Sequence, residues 1–328
     1  MKRYFSYIDG AYSLATTIVL LAYFEVFGDV GSLYYLIHTP YYLVLLPTVA
    51  FIAYRIVSKK PVLMAVTLFL ISSVYISLFA GQNLESRPQT TEQQMPIRIC
   101  SWNTAYFFTW GEQEGYSRLA KENCTYILLQ ETWKSENQQD KLWEVNKTYF
   151  PAMRFFSQGE FVIFAPSNDI SAVTYSTTDA FLRLDTVHNG QALHIYSMHL
   201  WTPISNKPKV TNNGISYKPP QIARREQKED LLAQLELSNR DSTTLIIGDF
   251  NTMQNGKILR DVTHVKNSPL ALISQTITQN RNTFTSNHPL IQIDYAFVSK
   301  DKIGGAKLRS SCVYSASDHC LLIVDVVL

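Results

Sequence analysis

The chain predicts an α/β domain of β-sheets packed on one another and covered by helices, preceded by a membrane-spanning helical anchor. Three observations point there. From Ile8 to Ala80 the residues are almost continuously apolar and aromatic, whereas everything after Gly81 alternates polar and apolar segments. Beyond that break, strand-like and helix-like segments interleave. Several strand-like runs follow one another with no helix between them, which argues against a simple doubly wound parallel sheet.

The anchor occupies residues 1–80 and divides into about three helices, Ile8 to Phe27, Leu33 to Val57 and Val62 to Ala80. Each is near the ~20 residues that cross a hydrocarbon core. A signal-peptide core is the alternative for the first span, which Asp9 and Glu25 flank. Its apolar stretch is long, rich in Tyr and Phe, and lacks a clear small-residue cleavage site. Pro40 and Pro47 are tolerable in a bilayer helix. Lys2 and Arg3 precede the first span, and Arg55, Lys59 and Lys60 cluster between the second and third. By the positive-inside tendency both sites are cytoplasmic, so a third crossing delivers the remainder to the opposite side. With only two crossings the side flips. Residues 81–96 have the composition of a linker, and the folded domain is expected at 97–328.

Within that domain Ile97 to Trp102 reads as a strand, Glu112 to Asn123 as a helix, Tyr126 to Gln130 as a strand and Ser135 to Asn146 as a helix. Phe161 to Ala165 and Leu193 to Met198 are strands, Gln221 to Leu237 an amphipathic helix, and Thr243 to Ile247 a buried strand. Ile291 to Ser299, Gly305 to Val313 and Cys320 to Val327 close the chain as strands.

Five of the 29 basic and three of the 27 acidic residues precede Gly81, leaving 24 of each in the remainder. A formally neutral domain lacks the basic surplus of a protein that grips long nucleic acid through many phosphates. Lys207, Lys209, Lys218, Arg224, Arg225 and Lys228 do lie close together, partly offset by Glu226, Glu229 and Asp230; a solvated face explains them equally well. Cys100, Cys124, Cys312 and Cys320 show no zinc spacing. Three sit in strand-like contexts, where a free thiol packs as a small hydrophobe. In an oxidising compartment one disulfide is conceivable, with no pair distinguished.

The chemistry concentrates at strand ends. Asn103 follows Arg-Ile-Cys-Ser-Trp, Glu131 follows Ile-Leu-Leu-Gln, His199 follows His-Ile-Tyr-Ser-Met, and Asp249 opens Asp-Phe-Asn after Leu-Ile-Ile-Gly. Ile293-Asp294-Tyr295 and Ser317-Asp318-His319 complete the set. Singly, each is a turn or cap former. Together, carboxylates, amides and imidazoles at strand ends are what metal-assisted attack on a phosphate ester requires.

In order, Trp-Asn, Gln-Glu, His-Leu, Gly-Asp-Phe-Asn, Asp-Tyr and Ser-Asp-His resemble the endonuclease/exonuclease/phosphatase superfamily across Ile97 to Leu328. The resemblance implies a DNase-I-like fold, a four-layer α/β/β/α sandwich. It also implies roles. Glu131, with Asn103 beside it and Asp318 completing the site, would hold Mg²⁺, with Mn²⁺ or Ca²⁺ as alternatives. Asp249 would orient or deprotonate the attacking water, and Asn251 would hold the phosphate or that water; both side chains share a face if the run stays extended. His319 would contact the phosphoryl oxygens with Asp294 fixing its ring, and His199 would serve the leaving oxygen. Some members pair the central His with a Glu from an earlier strand. Glu160 lies in about the right region but stays outside the candidate set, as do His188, His194, His264 and His288.

The implied activity is a membrane-anchored, metal-dependent phosphoesterase that meets the lipid bilayer through its N-terminal helices. Nucleic acid, a phospholipid such as sphingomyelin, and a small phosphorylated metabolite compete as substrate. Trp201 to Pro220 would form a specificity lip. A non-catalytic binding domain would be expected to lack one of the polar positions, and none is missing. The spans carry only Glu25, His38 and Arg55 as ionisable groups of note, too few for a transport path.

Overall fold

A computed structural model describes residues 96–328 apart from 108–110, 133–137, 168–169, 204–206, 212–213, 238–241, 253–256, 265–269, 274–282, 285–291 and 313–315. The three spans and the linker lie outside these residues. Among the described residues no helix is long and apolar enough to cross a membrane.

In chain order the elements are β1 (Ile97–Asn103), α1 (Glu112–Lys121), β2 (Tyr126–Gln130), α2 (Gln138–Tyr149), β3 (Met153–Gln158), β4 (Phe161–Pro166), β5 (Ile170–Tyr175), β6 (Phe181–His188) and β7 (Gln191–His199). There follow β8 (Lys207–Thr211), β9 (Gly214–Lys218), α3 (Pro220–Leu237), β10 (Thr243–Asp249), α4 (Lys257–His264), β11 (Leu270–Leu272), β12 (Asp294–Ser299), β13 (Ala306–Ser311) and β14 (Leu321–Val326). One sheet runs β13-β14-β1-β2-β4-β3 and a second β11-β12-β10-β7-β6-β5; β8 and β9 form a separate hairpin. Both sheets and every site residue belong to one compact unit, Leu84–Thr252 with Arg260–Leu328.

Side chains alternate across a strand, so one parity of residues faces the partner sheet. In the first sheet Ile97, Ile99, Tyr126, Leu128, Leu322 and Val324 face inward, and they meet Leu193, Ile195, Leu245, Ile247, Ala296 and Val298 of the second. All are 3% exposed or less, and burying each of the Ile, Leu and Val side chains stabilises the fold by roughly 1.5–3 kcal/mol. The opposite parity of the first sheet, Cys100, Trp102, Ile127 and Leu129, packs under Tyr116 and Leu119 of α1 and Leu142 of α2. Helix α3 ties down the second sheet's loops. Arg224 donates to the Trp201 and Phe250 carbonyls, and Gln227 accepts the Trp201 N–H, so the segments leaving β7 and β10 are both held.

Within each sheet one pair of strands is parallel, β1 with β2 and β7 with β10. Their C-terminal ends therefore lie at one edge of the sandwich, and β1 packs over β10 and β2 over β7. The antiparallel neighbours β14 and β12 begin at that same edge. Six strand termini converge there. The β7–β10 approach is so close that a Cβ on Gly248, at φ +147°, would stand 2.1 Å from the Met198 carbonyl oxygen. The glycine of Gly-Asp-Phe-Asn is thus a packing requirement.

The mixed α/β architecture with two packed sheets agrees with expectation, and most strands and helices fall where the apolar pattern places them. Strands β3, β5, β6, β8, β9 and β11 and helix α4 do not. β3 and β5 are edge strands whose half-exposed residues define no apolar face. In β6, Arg183 and Asp185 interrupt the apolar run, ion-paired to one another, with Asp185 also bonded to His194. The stretch after Trp201 is a hairpin. The cysteine reading also needs correction: all four are paired, as Cys100–Cys124 and Cys312–Cys320. Tertiary proximity, invisible in spacing, sets both pairs; the Cα atoms of Cys100 and Cys124 stand 5.9 Å apart across 24 residues of sequence.

Candidate active site

The inward parity that builds the core continues to the strand ends, where it turns polar. Asn103 and Ser101 continue the inward row of β1, Gln130 that of β2, Ser197 and His199 that of β7, and Asp249 that of β10. Gln130 Nε2 donates to Ser101 Oγ at 3.2 Å and to Ser197 Oγ at 2.7 Å, stitching the sheets together directly below the site. The register does the rest. Asp249 pairs across the ladder with His199 on one side and Asp294 on the other.

Three donors hold the Asp249 carboxylate. The Asn251 backbone N–H reaches Oδ1 at 2.6 Å, while Asn103 Nδ2 and Asn251 Nδ2 each reach Oδ2 at 3.0 Å. Asn251 is not extended, as the shared-face expectation required. At φ +46° it folds back in a left-handed turn, its amide also donating to the Leu200 carbonyl, and so meets Asp249 by turning. Its side chain is thereby committed to Asp249 and Leu200. Asn103 Nδ2 also donates to Glu131 Oε1 at 3.0 Å, and its Oδ1 accepts the Ala105 N–H.

Two histidines flank this centre, each backed by an acid. His319 Nδ1 lies 3.1 Å from both oxygens of Asp294, and its Nε2 lies 3.8 Å from Asp249 Oδ2. His199 Nδ1 lies 2.5 Å from Glu160 Oε1, with Nε2 3.2 Å from Glu131 Oε1 and 3.7 Å from Asp249 Oδ2. Glu160, set aside in the sequence reading, is therefore the acid behind His199. Its location before β4 gives no periodic signal, because the connection is made between sheets. Thr283 is a second missed residue. Fully buried, its Oγ1 accepts the Asp294 N–H and its carbonyl accepts the Cys320 N–H, so one residue aligns the Asp294 and His319 segments. Ser317 Oγ donates to the Asn103 carbonyl and accepts the His319 N–H, and Trp102 Nε1 donates to the His319 carbonyl.

The electrostatics separate these groups. Burial pushes the Glu131 carboxyl up, but the hydrogen bond and charge of His199 outweigh it and hold the group at about 2. Asp249 goes the other way, to about 6, because burial and Asp294 outweigh the pull of His319 and His199. Burial opposes the charged form of both histidines. Asp294 and Asp249 nevertheless raise His319 to about 9, and Glu160 with Glu131 raises His199 well above its ordinary value. Burial and Glu131 raise Asp318 against the opposing effect of His319.

Backbone strain gathers at the same place. Among the described residues, the non-glycine positions with positive φ are Ala105, Tyr106, Phe107, Asn123, Glu131, Asp179, Asn189 and Asn251. Asn and Asp tolerate this region, so the costly ones are Ala105, Tyr106, Phe107 and Glu131, at about 1–3 kcal/mol each. Every costly one borders the site.

The donor set fits a hard divalent cation. Five carboxylates, from Glu131, Glu160, Asp249, Asp294 and Asp318, face two imidazoles that carry protons and so make poor ligands. Glu131 is ionised and partly open, and Asp318 Oδ1 is buried with no hydrogen-bond partner among the described residues. Glu131, His199 and Asp249 offer atoms within 4.8 Å of one another, as do Asp249, Asp294 and His319.

All eight residues expected at the site lie within this network, and the structure adds Glu160, Gln130, Thr283 and Ser317. A solved endonuclease/exonuclease/phosphatase from Bacteroides vulgatus is 14% identical, with the match covering 72% of this chain and 100% of that one at a TM-score of 0.53. D. rerio TDP2, humanized by mutation, is 17% identical over 71% of this chain and 99% of its own, at 0.51. D. rerio TDP2 complexed with single strand DNA product matches with the same identity, coverage and TM-score. At these identities the likeness is one of fold. No curated protein matches the chain. The model of the Endonuclease/Exonuclease/phosphatase family matches residues 100–319, well over half the sequence and every site residue described above, and the chain belongs to that family as a hydrolase of phosphoric esters.

Proposed function

We propose that the protein is a divalent-metal-dependent phosphodiesterase that uses Asp249 to activate water. The observation that carries this reading is the Asp249 carboxylate itself: oriented by three donors, in register with His199 and Asp294, and poised at about 6. A base of that strength accepts a proton near neutral pH. Asp249 takes a proton from water as its oxygen bonds to phosphorus. The ester P–O bond then breaks, and His199, protonated and held by Glu160, gives its Nε2 proton to the leaving oxygen. His319, protonated and held by Asp294, donates Nε2–H to a non-bridging oxygen. Asn103 and Asn251 are positioning residues for Asp249, and Glu160 and Asp294 for the histidines.

Glu131 and Asp318, with Asn103 beside them, would hold the cation, Mg²⁺ or alternatively Mn²⁺ or Ca²⁺. When bound, it neutralises non-bridging oxygens and developing charge.

The reading extends to location. An anchor of about three spans in residues 1–80 would tether the domain, through a linker over 81–96, on the extracytoplasmic side of a membrane. The two disulfides support an oxidising compartment. Nucleic acid is a second substrate reading, motivated by the DNA-bound form of D. rerio TDP2, whose fold this domain shares. The formal neutrality of the domain limits that reading to short contacts around one phosphate.

The test is a substrate panel: DNA, RNA, sphingomyelin, phosphoinositides and bis(para-nitrophenyl) phosphate with each of the three metals, alongside Glu131→Ala and His319→Ala. Full activity in chelator, or equal activity of the wild type and both variants, would sink the mechanism. For topology, a reporter fused after Leu328 should report from outside the cytoplasm; a cytoplasmic signal overturns the span count.

A further inference from the structure

Between Asn103 and α1 the chain makes a one-turn 3-10 segment, Ala105–Phe107, in which all three residues adopt the left-handed conformation, with φ of 44°, 59° and 49°. Glycine is the inexpensive residue for such a backbone, yet none of the three is glycine. The segment is fully tied. Ala105 N–H bonds to Asn103 Oδ1, Tyr106 N–H to the Glu131 carbonyl at 2.8 Å, and Phe107 N–H to the Thr104 carbonyl. Thr104 Oγ1 donates to the Gln130 and Glu131 carbonyls.

Phe107 explains itself. It is 2% exposed and packs edge-on to Trp102, tilted against Tyr116, and close over Gly115 of α1, where a Cβ would stand 2.5 Å from its ring. Gly115 thus gives up helix propensity to seat it. Tyr106 has no such account. Its ring is 44% exposed beside the Glu131 end of the site, with no ring partner among the described residues. An aromatic group kept at a strained, exposed position beside an active centre is there for what its side chain does.

We infer that Tyr106 is a substrate-contacting residue whose ring forms a wall against the flat or apolar group esterified to the scissile phosphate. This rests on the phosphodiesterase reading above. Burial and the carboxylates of Glu131 and Glu160 push its phenol up to about 12, so the hydroxyl stays protonated and adds no charge at the mouth of the site. Phe107 and the backbone bonds hold the segment, and Tyr106 supplies the contact.

The inference makes stability and activity move in opposite directions. Full-length Tyr106→Gly, Tyr106→Ala and Tyr106→Phe would be compared with wild type for thermal midpoint and for hydrolysis of bis(para-nitrophenyl) phosphate. Tyr106→Gly relieves the left-handed strain, so its midpoint should hold or rise. Its kcat/KM should fall at least about tenfold, chiefly through KM, as expected when binding shared by ground and transition states is removed. Tyr106→Ala should lose activity to the same degree, and Tyr106→Phe should stay within about twofold of wild type. A Tyr106→Gly enzyme with wild-type kcat/KM overturns the inference. So does a lowered midpoint in that variant, or a Tyr106→Phe loss equal to that of glycine. If wild type hydrolyses no phosphodiester, the parent reading falls and this one with it. An active wild type with an equally active glycine variant removes only this one.

Discussion

The two parallel strand pairs are built alike and finish differently. β1 with β2 and β7 with β10 each run an apolar inward row to the same edge, and each pair delivers one amide or imidazole and one acid there, Glu131 just past β2 and Asp249 as the last residue of β10. At the end of β1 and β2 the acid is Glu131, whose side chain is 24% exposed and whose carboxyl is held at about 2. At the end of β7 and β10 the acid is Asp249, 1% exposed and raised to about 6. Solvent access and neighbouring charge separate the carboxylates that the two parallel strand pairs deliver to this edge. The more open one is suited to a cation, and the enclosed one to moving a proton.

The sharpest break of this contrast is Asp249→Asn, expected to lower kcat by roughly 10²–10⁴-fold, the range for losing a general base. Its thermal midpoint at pH 8 should match or exceed wild type, because a buried charge has been removed. A fall in midpoint together with retained activity would give Asp249 a structural role only.

Next is Gly248→Ala, which forces a Cβ against the Met198 carbonyl and separates β7 from β10. Moving backbone on a central ladder should cost at least about 3 kcal/mol, read as a lower urea midpoint. The β1–β2 pair has no glycine at its end, and Ser101→Ala should cost only about 1 kcal/mol by the same measurement.

Glu131→Gln should raise the metal concentration for half-maximal activity at least about tenfold, and Glu160→Gln should lower kcat about 10–100-fold with metal dependence unchanged. If both variants shift the metal requirement equally, the division of labour between the strand pairs is wrong.

The smallest effect is in pH. The folded value of Asp249 lies above its ordinary range, so its contribution to stability is present at low pH and is lost as pH rises through about 6. Glu131 lies below its range, so its contribution is present above that range and lost as pH falls toward 2. Urea midpoints measured in chelator from pH 3 to 8 should therefore tilt in opposite directions for Asp249→Asn and Glu131→Gln relative to wild type.

Much of the site was legible because it is written into strand parity. Asn103, His199 and Asp249 each continue the inward alternation of an apolar run, Glu131 directly follows one, and Asp294 and His319 precede one. Asn251 was legible as a residue but not as a conformation, since its left-handed turn depends on bonds to Leu200 and Asp249. Glu160 was visible only through the family resemblance and stayed outside the candidate set, because its contact crosses from one sheet to the other. Thr283 was illegible because its importance lies in hydrogen bonds to segments 11 and more residues away. Edge strands β3 and β5 were missed for a simpler reason: their residues are at most partly buried, so their apolar alternation is weak.

By itself, then, the sequence determined the class of fold, the family motifs and the identity of the polar groups at the strand ends, because these follow from local periodicity and residue chemistry. Only the tertiary structure decided which acid stands behind which histidine, which cysteines pair, and which carboxylate is enclosed enough to hold a proton near neutral pH. Those properties depend on distance and burial across two sheets, and neither is a function of spacing along the chain.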